Sequence, residues 1–171
     1  MADLTYDFRP VDSSFLETAP TIYQCICTTP LPRADVWKAF SGAETWPDWF
    51  PQCDRIAYEG KMPPGVGTVR RSWFGDVIFE ETMLIWEEGS RWGYRIDKAN
   101  LKIAEAQLEL TEFEDLPDGG TRVIWTMASE PTDQLNHFAA DKTVSFEDFM
   151  KDMLDTALSQ LAQTLRSEAQ P

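Results

Sequence analysis

The sequence predicts an α+β protein in which a curved antiparallel sheet of six to seven strands wraps around one long C-terminal helix, with two short helices after the first strand. Three observations lead to this class. The middle of the chain is a series of short, roughly alternating segments, two short helical patterns precede it, and an apolar stripe with helical spacing ends the chain. Because the sheet and the long helix each have one apolar face, we expect each to cover the other.

The composition is typical of one globular domain that avoids anionic surfaces. Of the 171 residues, 43% are hydrophobic, and the formal net charge of −14 repels phosphate backbones and lipid headgroups. No apolar run reaches the roughly 18 residues of a membrane-spanning helix, and the first residues lack a signal-peptide pattern. We therefore expect an N-terminal extension at residues 1–19, one domain at residues 20–168, a cytoplasmic location, no nucleic-acid partner and no membrane insertion. The oligomeric state stays open.

The first elements are marked by prolines and aromatic residues. Strand-like alternation runs over residues 21–28 and stops at Pro30, because proline cannot donate to a β-ladder. Helical spacing over residues 33–40 predicts a short helix that Gly42 ends. A second short helix or turn is expected at residues 46–51, where it either covers the mouth of a cavity or plugs one end of the sheet.

The middle of the chain predicts a meander of hairpins. Turn residues divide it into strands at residues 55–58, 68–73, 77–86, 92–96, 103–113 and 122–128. Connections this short favour antiparallel neighbours. In the third of these strands, alternation places Phe79, Glu81, Met83 and Ile85 on one face.

The C-terminal segment carries the clearest helical pattern. Apolar residues recur every three or four positions from Phe146 to Leu165, and Ser145 with Asp148 gives the spacing of an N-terminal cap. A long amphipathic helix is therefore expected. A sheet that curls around a helix does not close on it perfectly, so we expect a cavity of a few hundred Å³, the size typical of small-molecule sites.

Local motifs add a family resemblance to this order of elements. They are Pro32 to Phe40 with Val36-Trp37, Trp46 followed by Trp49-Phe50-Pro51, Gly67-Thr68-Val69-Arg70, Glu81 five residues before Trp86, Tyr94, and Gly119-Gly120-Thr121-Arg122-Val123 before Trp125. Over about residues 20–166 the chain resembles the START/SRPBCC superfamily, and within it the polyketide cyclase/dehydrase branch. The resemblance implies the helix-grip fold. It also implies a function among those of the superfamily, which includes cyclases, dehydratases, lipid carriers and regulators of other proteins.

Several kinds of reactive site are disfavoured by the sequence. The single histidine, His137, has no visible partner for general-base catalysis. The three cysteines, Cys25, Cys27 and Cys53, lack the paired spacing of a zinc site and are expected to be reduced thiols. No glycine-rich loop stands before a helix, so a nucleotide site is not indicated. The sequence therefore predicts neither a metal nor a cofactor.

Glu81 is the main candidate for chemistry, because it lies among apolar residues on a predicted inward face. A carboxylate there needs a partner, and Arg70 or Arg71 is the expected one. In one interpretation Glu81 is a general acid/base on a carbonyl-bearing ligand, and the arginine and the hydroxyl of Tyr94 hold the developing oxyanion. In the other, which we favour, the ion pair fixes the register of the sheet.

Aromatic and methionine side chains supply a soft lining for a hydrophobic ligand, although core packing is the simpler interpretation of each one alone. The predicted ligand-binding residues are Phe79, Met83, Trp125, Met127, Phe149, Met150 and Met153. The leading hypothesis is a protein that binds a hydrophobic small molecule, namely a lipid, a sterol-like molecule or an aromatic polyketide-like molecule. The alternatives are a cyclase/dehydrase that uses Glu81, and a protein-interaction module that regulates another enzyme.

Overall fold

The structure, a computed structural model, describes residues 3–138 and 144–169, and of residues 136–138 it describes the backbone alone. The strands are β1 (Tyr6–Asp7), β2 (Thr21–Thr29), β3 (Cys53–Glu59), β4 (Val69–Phe74), β5 (Val77–Glu87), β6 (Arg91–Ala99), β7 (Ala104–Asp115) and β8 (Thr121–Pro131). The helices are α1 (Phe15–Thr18), α2 (Arg33–Ser41), α3 (Trp46–Trp49), α4 (Asp133–Phe138) and α5 (Phe146–Glu168). The predicted fold class is confirmed, and β1, α1 and α4 are additions to it.

Seven strands form one antiparallel path in the order β2-β8-β7-β6-β5-β4-β3. Each neighbour from β3 to β8 follows the last along the chain, as short hairpin connections require, and β2 joins the far side by pairing with β8. The long helix α5 packs against β2 and α3. Its first turn is capped by Ser145, whose Oγ accepts from the Asp148 N–H at 3.1 Å. No helix in the described ranges is long and apolar enough to span a membrane.

The N-terminal segment, residues 6–15, completes the sheet at a seam where β6 and β7 no longer pair with each other. The β6–β7 ladder stops at Arg95, and β1 pairs with the part of β6 that follows. Beyond β1, the N–H of Phe8 donates to Asp97 O at 2.9 Å, and the N–H of Arg9 donates to Glu105 O at 2.7 Å. The segment therefore supplies partners to backbone groups of both strands where these no longer bond to each other.

The same segment covers the outer face of the sheet. Val11 and Phe15 are buried against Ala106, Leu108 and Ala128 of β7 and β8. The apolar side chains of β7 therefore point outward, and alternation turns the other set of β7 toward α5. That inward set consists of Gln107, Glu109, Thr111 and Phe113, all of them buried.

A β-bulge changes the inward face of β5. The register with β6 shifts between Met83 and Ile85, and an extra residue on one strand reverses the alternation after it. Trp86 therefore packs on Trp37 inside the sheet, with ring centroids 5.8 Å apart, whereas Ile85 lines an outer groove beside Leu16. The prediction that Ile85 shares the inward face with Phe79, Glu81 and Met83 is wrong for this reason.

Helix α3 and the residue after it plug one end of the curved sheet. Trp46, Trp49 and Phe50 are all buried. The ring centroids of Trp46 and Trp49 are 4.8 Å apart, and those of Trp46 and Phe50 are also 4.8 Å apart. Pro47 within this group and Pro51 directly after it limit the conformations of the backbone. The interpretation as a plug therefore fits the structure better than that as a lid.

Candidate functional site

A cavity lies between the inner face of the sheet and α5. Its volume, measured as the space open to the centres of water-sized molecules, is about 80 Å³. This is less than the few hundred Å³ expected from the sequence. The aromatic part of its wall consists of Phe40, Trp46, Phe50, Phe74, Phe79, Trp92, Tyr94, Trp125, Phe146 and Phe149, and the polar part of Arg70, Glu81, Gln107, Glu109 and Thr111. An apolar wall with a few grouped polar side chains is typical of small-molecule sites.

Five of the seven predicted ligand-binding residues line this cavity, and two do not. The five are Phe79, Trp125, Met127, Phe149 and Met153. Met83 and Met150 are instead enclosed in the main core cluster. Met150 is turned about 100° around α5 from Phe149, and Met83 is fully buried within the core cluster. For these two residues, core packing is the correct interpretation.

Arg70 and Glu81 form a sealed ion pair in the cavity wall. They are direct cross-strand partners on β4 and β5, and Arg70 Nε donates to Glu81 Oε2 at 2.5 Å while Ser72 Oγ donates to Glu81 Oε1 at 3.1 Å. Arg70 is 1% exposed and Glu81 is 2% exposed. The register of the sheet therefore brings together two of the predicted catalytic residues.

Aromatic rings hold the guanidinium of Arg70. Its Cζ lies 4.4 Å from the ring centroid of Tyr94, 4.8 Å from that of Trp92 and 5.4 Å from that of Trp46. Among the described residues its Nη1 has no hydrogen-bond partner, so ring faces take the place of acceptors. Burial disfavours the charged form, but attraction to Glu81, Tyr94 and Tyr58, together with the hydrogen bond to Glu81, outweighs burial and raises the pKa of Arg70.

Arg71 lies on the opposite face of β4. Its side chain is 40% exposed, with Nη2 at 2.8 Å from Glu80 Oε2 and Nε at 3.2 Å from Glu59 Oε1. Successive residues of a strand point to opposite faces. Of the two arginines that the sequence offers as partners of Glu81, Arg70 is therefore the one that faces the cavity.

Glu109 is a second buried carboxyl group in the wall, and the sequence analysis missed it. Its Oε2 accepts from the Tyr94 hydroxyl at 2.8 Å and from Trp125 Nε1 at 3.0 Å, and its Oε1 accepts from Gln107 Nε2 at 2.8 Å. Burial raises the pKa of Glu109, and the nearby charge of Glu81 adds to this, while the three hydrogen bonds oppose it. Tyr94, a predicted site residue, thus connects the two carboxyl groups: its ring lies on Arg70 and its hydroxyl on Glu109.

Tyr94 remains a hydroxyl donor at ordinary pH. Burial raises its pKa well above the usual value, and the charge of Glu109 adds to the shift. Among the described side chains, the groups that donate hydrogen bonds to the Glu109 carboxyl are all neutral. Glu109 is 7% exposed, against 2% for Glu81, so it is the more accessible of the two carboxyl groups.

The alternation of β7 is the sequence pattern that bears on Glu109, and it predicts the wrong face. Gln107, Glu109 and Thr111 are every second residue, and they alternate with Ala106, Leu108 and Leu110. A strand with apolar residues on one face normally turns that face to the core. The pattern alone therefore predicts Glu109 on the outside, and only the covering segment at Val11 and Phe15 reverses this assignment.

The cysteines do not provide a nucleophile. All three are free and buried. Burial raises the pKa of Cys53 to about 11, and a hydrogen bond to Cys25 together with burial raises the pKa of Cys27. Cys27 and Cys53 therefore stay protonated, and protonated thiols are unreactive. The side chain of His137 lies outside the described residues.

Comparisons with known proteins agree with this architecture. A family model described as polyketide cyclase/dehydrase and lipid transport matches residues 27–166. An uncharacterized protein of Mycobacterium tuberculosis is 25% identical over 126 residues, which are 73% of this chain and 75% of that protein.

Two solved structures show the same fold at low sequence identity. Ara h 8.0201 has a TM-score of 0.62 and 18% identity, and the match covers 86% of this chain and 98% of that one. The di-domain ARO/CYC StfQ from the steffimycin biosynthetic pathway has a TM-score of 0.62 and 18% identity, over 84% of this chain and 45% of that one. The predicted helix-grip fold is confirmed.

Proposed function

We propose that this chain, which belongs to the polyketide cyclase/dehydrase and lipid transport family, binds an aromatic or other hydrophobic small molecule between the inner face of its sheet and α5. The observation that carries the proposal is the cavity itself, with a wall of aromatic and methionine side chains and one small group of polar ones. Such a wall gains free energy from burying apolar ligand surface, and its few polar groups orient the ligand.

The size of the cavity limits what enters without rearrangement. Its free volume of about 80 Å³ is below the roughly 150 Å³ of an apolar cavity that holds benzene. Even a single ring therefore needs some displacement of the wall, and a sterol or a polycyclic polyketide needs more. Phe146, Phe149 and Met153 of α5 are half-buried lining residues from which such movement can start.

Native mass spectrometry of freshly purified protein tests this function directly, because a co-purified hydrophobic molecule appears as added mass. Titration with the neutral fluorescent dye N-phenyl-1-naphthylamine gives an affinity for comparison. Met153→Trp fills the cavity and is expected to weaken dye binding about tenfold or more. Met62→Trp, at a loop residue that is 60% exposed, is the matched control and should leave dye binding unchanged. Absence of added mass together with equal dye affinity in both variants contradicts the proposal.

Acid–base catalysis is the second candidate, and the position of Glu109 favours it. A carboxyl group with a raised pKa beside a neutral hydroxyl donor suits proton transfer to or from a carbonyl-bearing ligand. In this proposal Glu109 moves the proton, and the Tyr94 hydroxyl, which has a single proton to donate, turns from Glu109 Oε2 to the developing oxyanion. The sealed contact between Arg70 and Glu81 supports the structural interpretation of that pair.

Glu109→Gln separates the two candidates once a ligand is known. The variant is expected to keep its affinity for a neutral ligand within about threefold and to lose turnover if Glu109 moves a proton. Glu81→Gln tests the catalytic role that the sequence suggested for Glu81. Loss of turnover in Glu81→Gln but not in Glu109→Gln contradicts our assignment of the acid–base role.

A further inference from the structure

Among the side chains that the structure describes, the charged groups of the cavity wall leave one carboxyl group without a matching cation. Those groups are Arg70, Glu81 and Glu109. Arg70 and Glu81 are in contact at 2.5 Å and neutralise each other. Among residues 3–135 and 144–169, whose side chains the structure describes, the groups hydrogen-bonded to Glu109 are the neutral Tyr94, Trp125 and Gln107. Buried charges in proteins are normally paired.

The hydrogen bonds around Glu109 are arranged for an ionised acceptor. Trp125 Nε1–H can only donate, and it points at Oε2 together with the Tyr94 hydroxyl. Gln107 donates to Oε1. A carboxylate has about four lone-pair positions, so one acceptor position on Oε1 remains for a ligand.

The surroundings of this carboxyl group favour a cation over a neutral donor. Rings of Trp92, Tyr94, Trp125, Phe146 and Phe149 line the same cavity, and ring faces attract ammonium groups, most strongly where water is excluded. The chain as a whole carries a formal net charge of −14, which concentrates cationic ligands near its surface. Charge and aromatic lining therefore point to the same class of molecule.

We propose that the natural ligand carries a basic nitrogen and binds as an ammonium ion, paired with Glu109 and enclosed by the aromatic rings of the cavity. This inference rests on the proposed function and narrows it from hydrophobic small molecules to aromatic or hydrophobic amines. The ammonium ion supplies the positively charged partner that the Glu109 carboxylate lacks, and the hydrophobic part of the ligand occupies the rest of the cavity.

Isothermal titration calorimetry with isosteric pairs tests the inference. Benzylamine is compared with benzyl alcohol, and tryptamine with tryptophol, at pH 7.5 and low salt. In the wild-type protein each amine is expected to bind at least tenfold more tightly than its neutral partner. Glu109→Gln is expected to reduce that ratio to about one, while the affinity for the neutral molecules stays within about threefold.

Glu112→Gln is the matched control for this variant. Glu112 is the same residue type on the same strand, but on the opposite face and only half-buried. The Glu112→Gln variant loses the same formal charge as Glu109→Gln but keeps the cavity wall unchanged. It should therefore keep the tenfold preference for amines. An equal loss of preference in both variants overturns the inference, because it assigns the effect to net charge alone.

The wild-type protein alone decides the question if Glu109→Gln does not fold. Neutral molecules that bind as tightly as the amines, or more tightly, overturn the inference and leave the proposed function intact. Failure of all four molecules to bind at millimolar concentration contradicts both, and a co-purified molecule without a basic nitrogen contradicts the inference alone.

Discussion

Glu81 and Glu109 are two buried carboxyl groups in the wall of one cavity, and the sheet holds them in opposite ways. On β5, Glu81 stands directly opposite Arg70, a cation that is itself enclosed. On β7, the cross-strand neighbours of Glu109 are Tyr94 and Met127, and neither is charged. The residue type and the burial are similar, so the charge of the neighbour decides whether a carboxyl group is a closed structural contact or an open binding position.

Replacing Arg70, the cation of the Arg70–Glu81 ion pair, is expected to have the largest effect on stability. Arg70→Met leaves Glu81 buried without its partner, which should lower the free energy of unfolding by about 3–5 kcal/mol. Urea denaturation at pH 7 measures it. Arg71→Met is the control on the exposed face of the same strand, where the expected loss is below about 1 kcal/mol. Similar losses in the two variants would mean that the Arg70–Glu81 contact has no special importance.

The packing on the outer face of β7, opposite Glu109, can be weakened by mutation. Leu108 is completely buried on the outer face of β7, and Leu108→Ala should cost about 2–5 kcal/mol because it leaves a cavity under the N-terminal segment. Denaturation of this variant and of Val66→Ala, a control at an exposed loop residue, measures the difference. A cost near zero for Leu108→Ala would contradict the close packing of the N-terminal segment on the sheet.

The pH dependence of stability should reveal Glu109. Its pKa is raised by burial, so its contribution to stability is complete below the unfolded-state pKa of about 4.3 and is lost as the pH rises through the folded-state value. Glu109→Gln lacks this titration. Relative to wild type, its free energy of unfolding should therefore rise between pH 4 and pH 8, by about 1.4 kcal/mol per unit of pKa shift.

Urea denaturation of both proteins at several pH values checks this expectation, and Glu112→Gln serves as the control for a lost surface charge. Parallel profiles for wild type and Glu109→Gln would show that the folded state does not perturb this carboxyl group.

The smallest expected effect concerns the tyrosine that connects the two carboxyl groups. Tyr94→Phe removes one of three hydrogen bonds to Glu109 and should cost about 1 kcal/mol at pH 7. Because that bond lowers the pKa of Glu109, the midpoint of the pH profile should also move to higher pH. Denaturation across the same pH range measures both quantities. An unchanged midpoint would mean that Tyr94 does not influence the ionisation of Glu109.

The main elements of the fold were predictable because their patterns are local. The stripe from Phe146 to Leu165 and the turn residues between strands depend only on neighbours in sequence, and the structure has the long helix and all seven long strands. The seam that Phe8 fills was not predictable, because it depends on how far the β6–β7 ladder extends. A two-residue strand such as β1 leaves no periodic pattern to detect.

The Arg70–Glu81 pair of the site was predictable from the sequence, and Glu109 was not. Glu81 and Arg70 are recognisable as charged residues within apolar strands, and the hairpin between them brings them together. Glu109 depends on a distant event, since the burial of Leu108 by Phe15 decides which face of β7 is inward. A strand that is buried on both faces does not show its orientation in its own sequence.

The seam between β6 and β7 also affects how this protein should be expressed. A fragment trimmed to residues 20–168, the domain expected from the sequence, would keep β2 but lack residues 6–9, which supply hydrogen bonds to Asp97 and Glu105. Unpaired backbone carbonyl groups at an open strand edge promote pairing between molecules. We expect the trimmed protein to self-associate, and anyone who shortens the chain for crystallisation should keep its first ten residues.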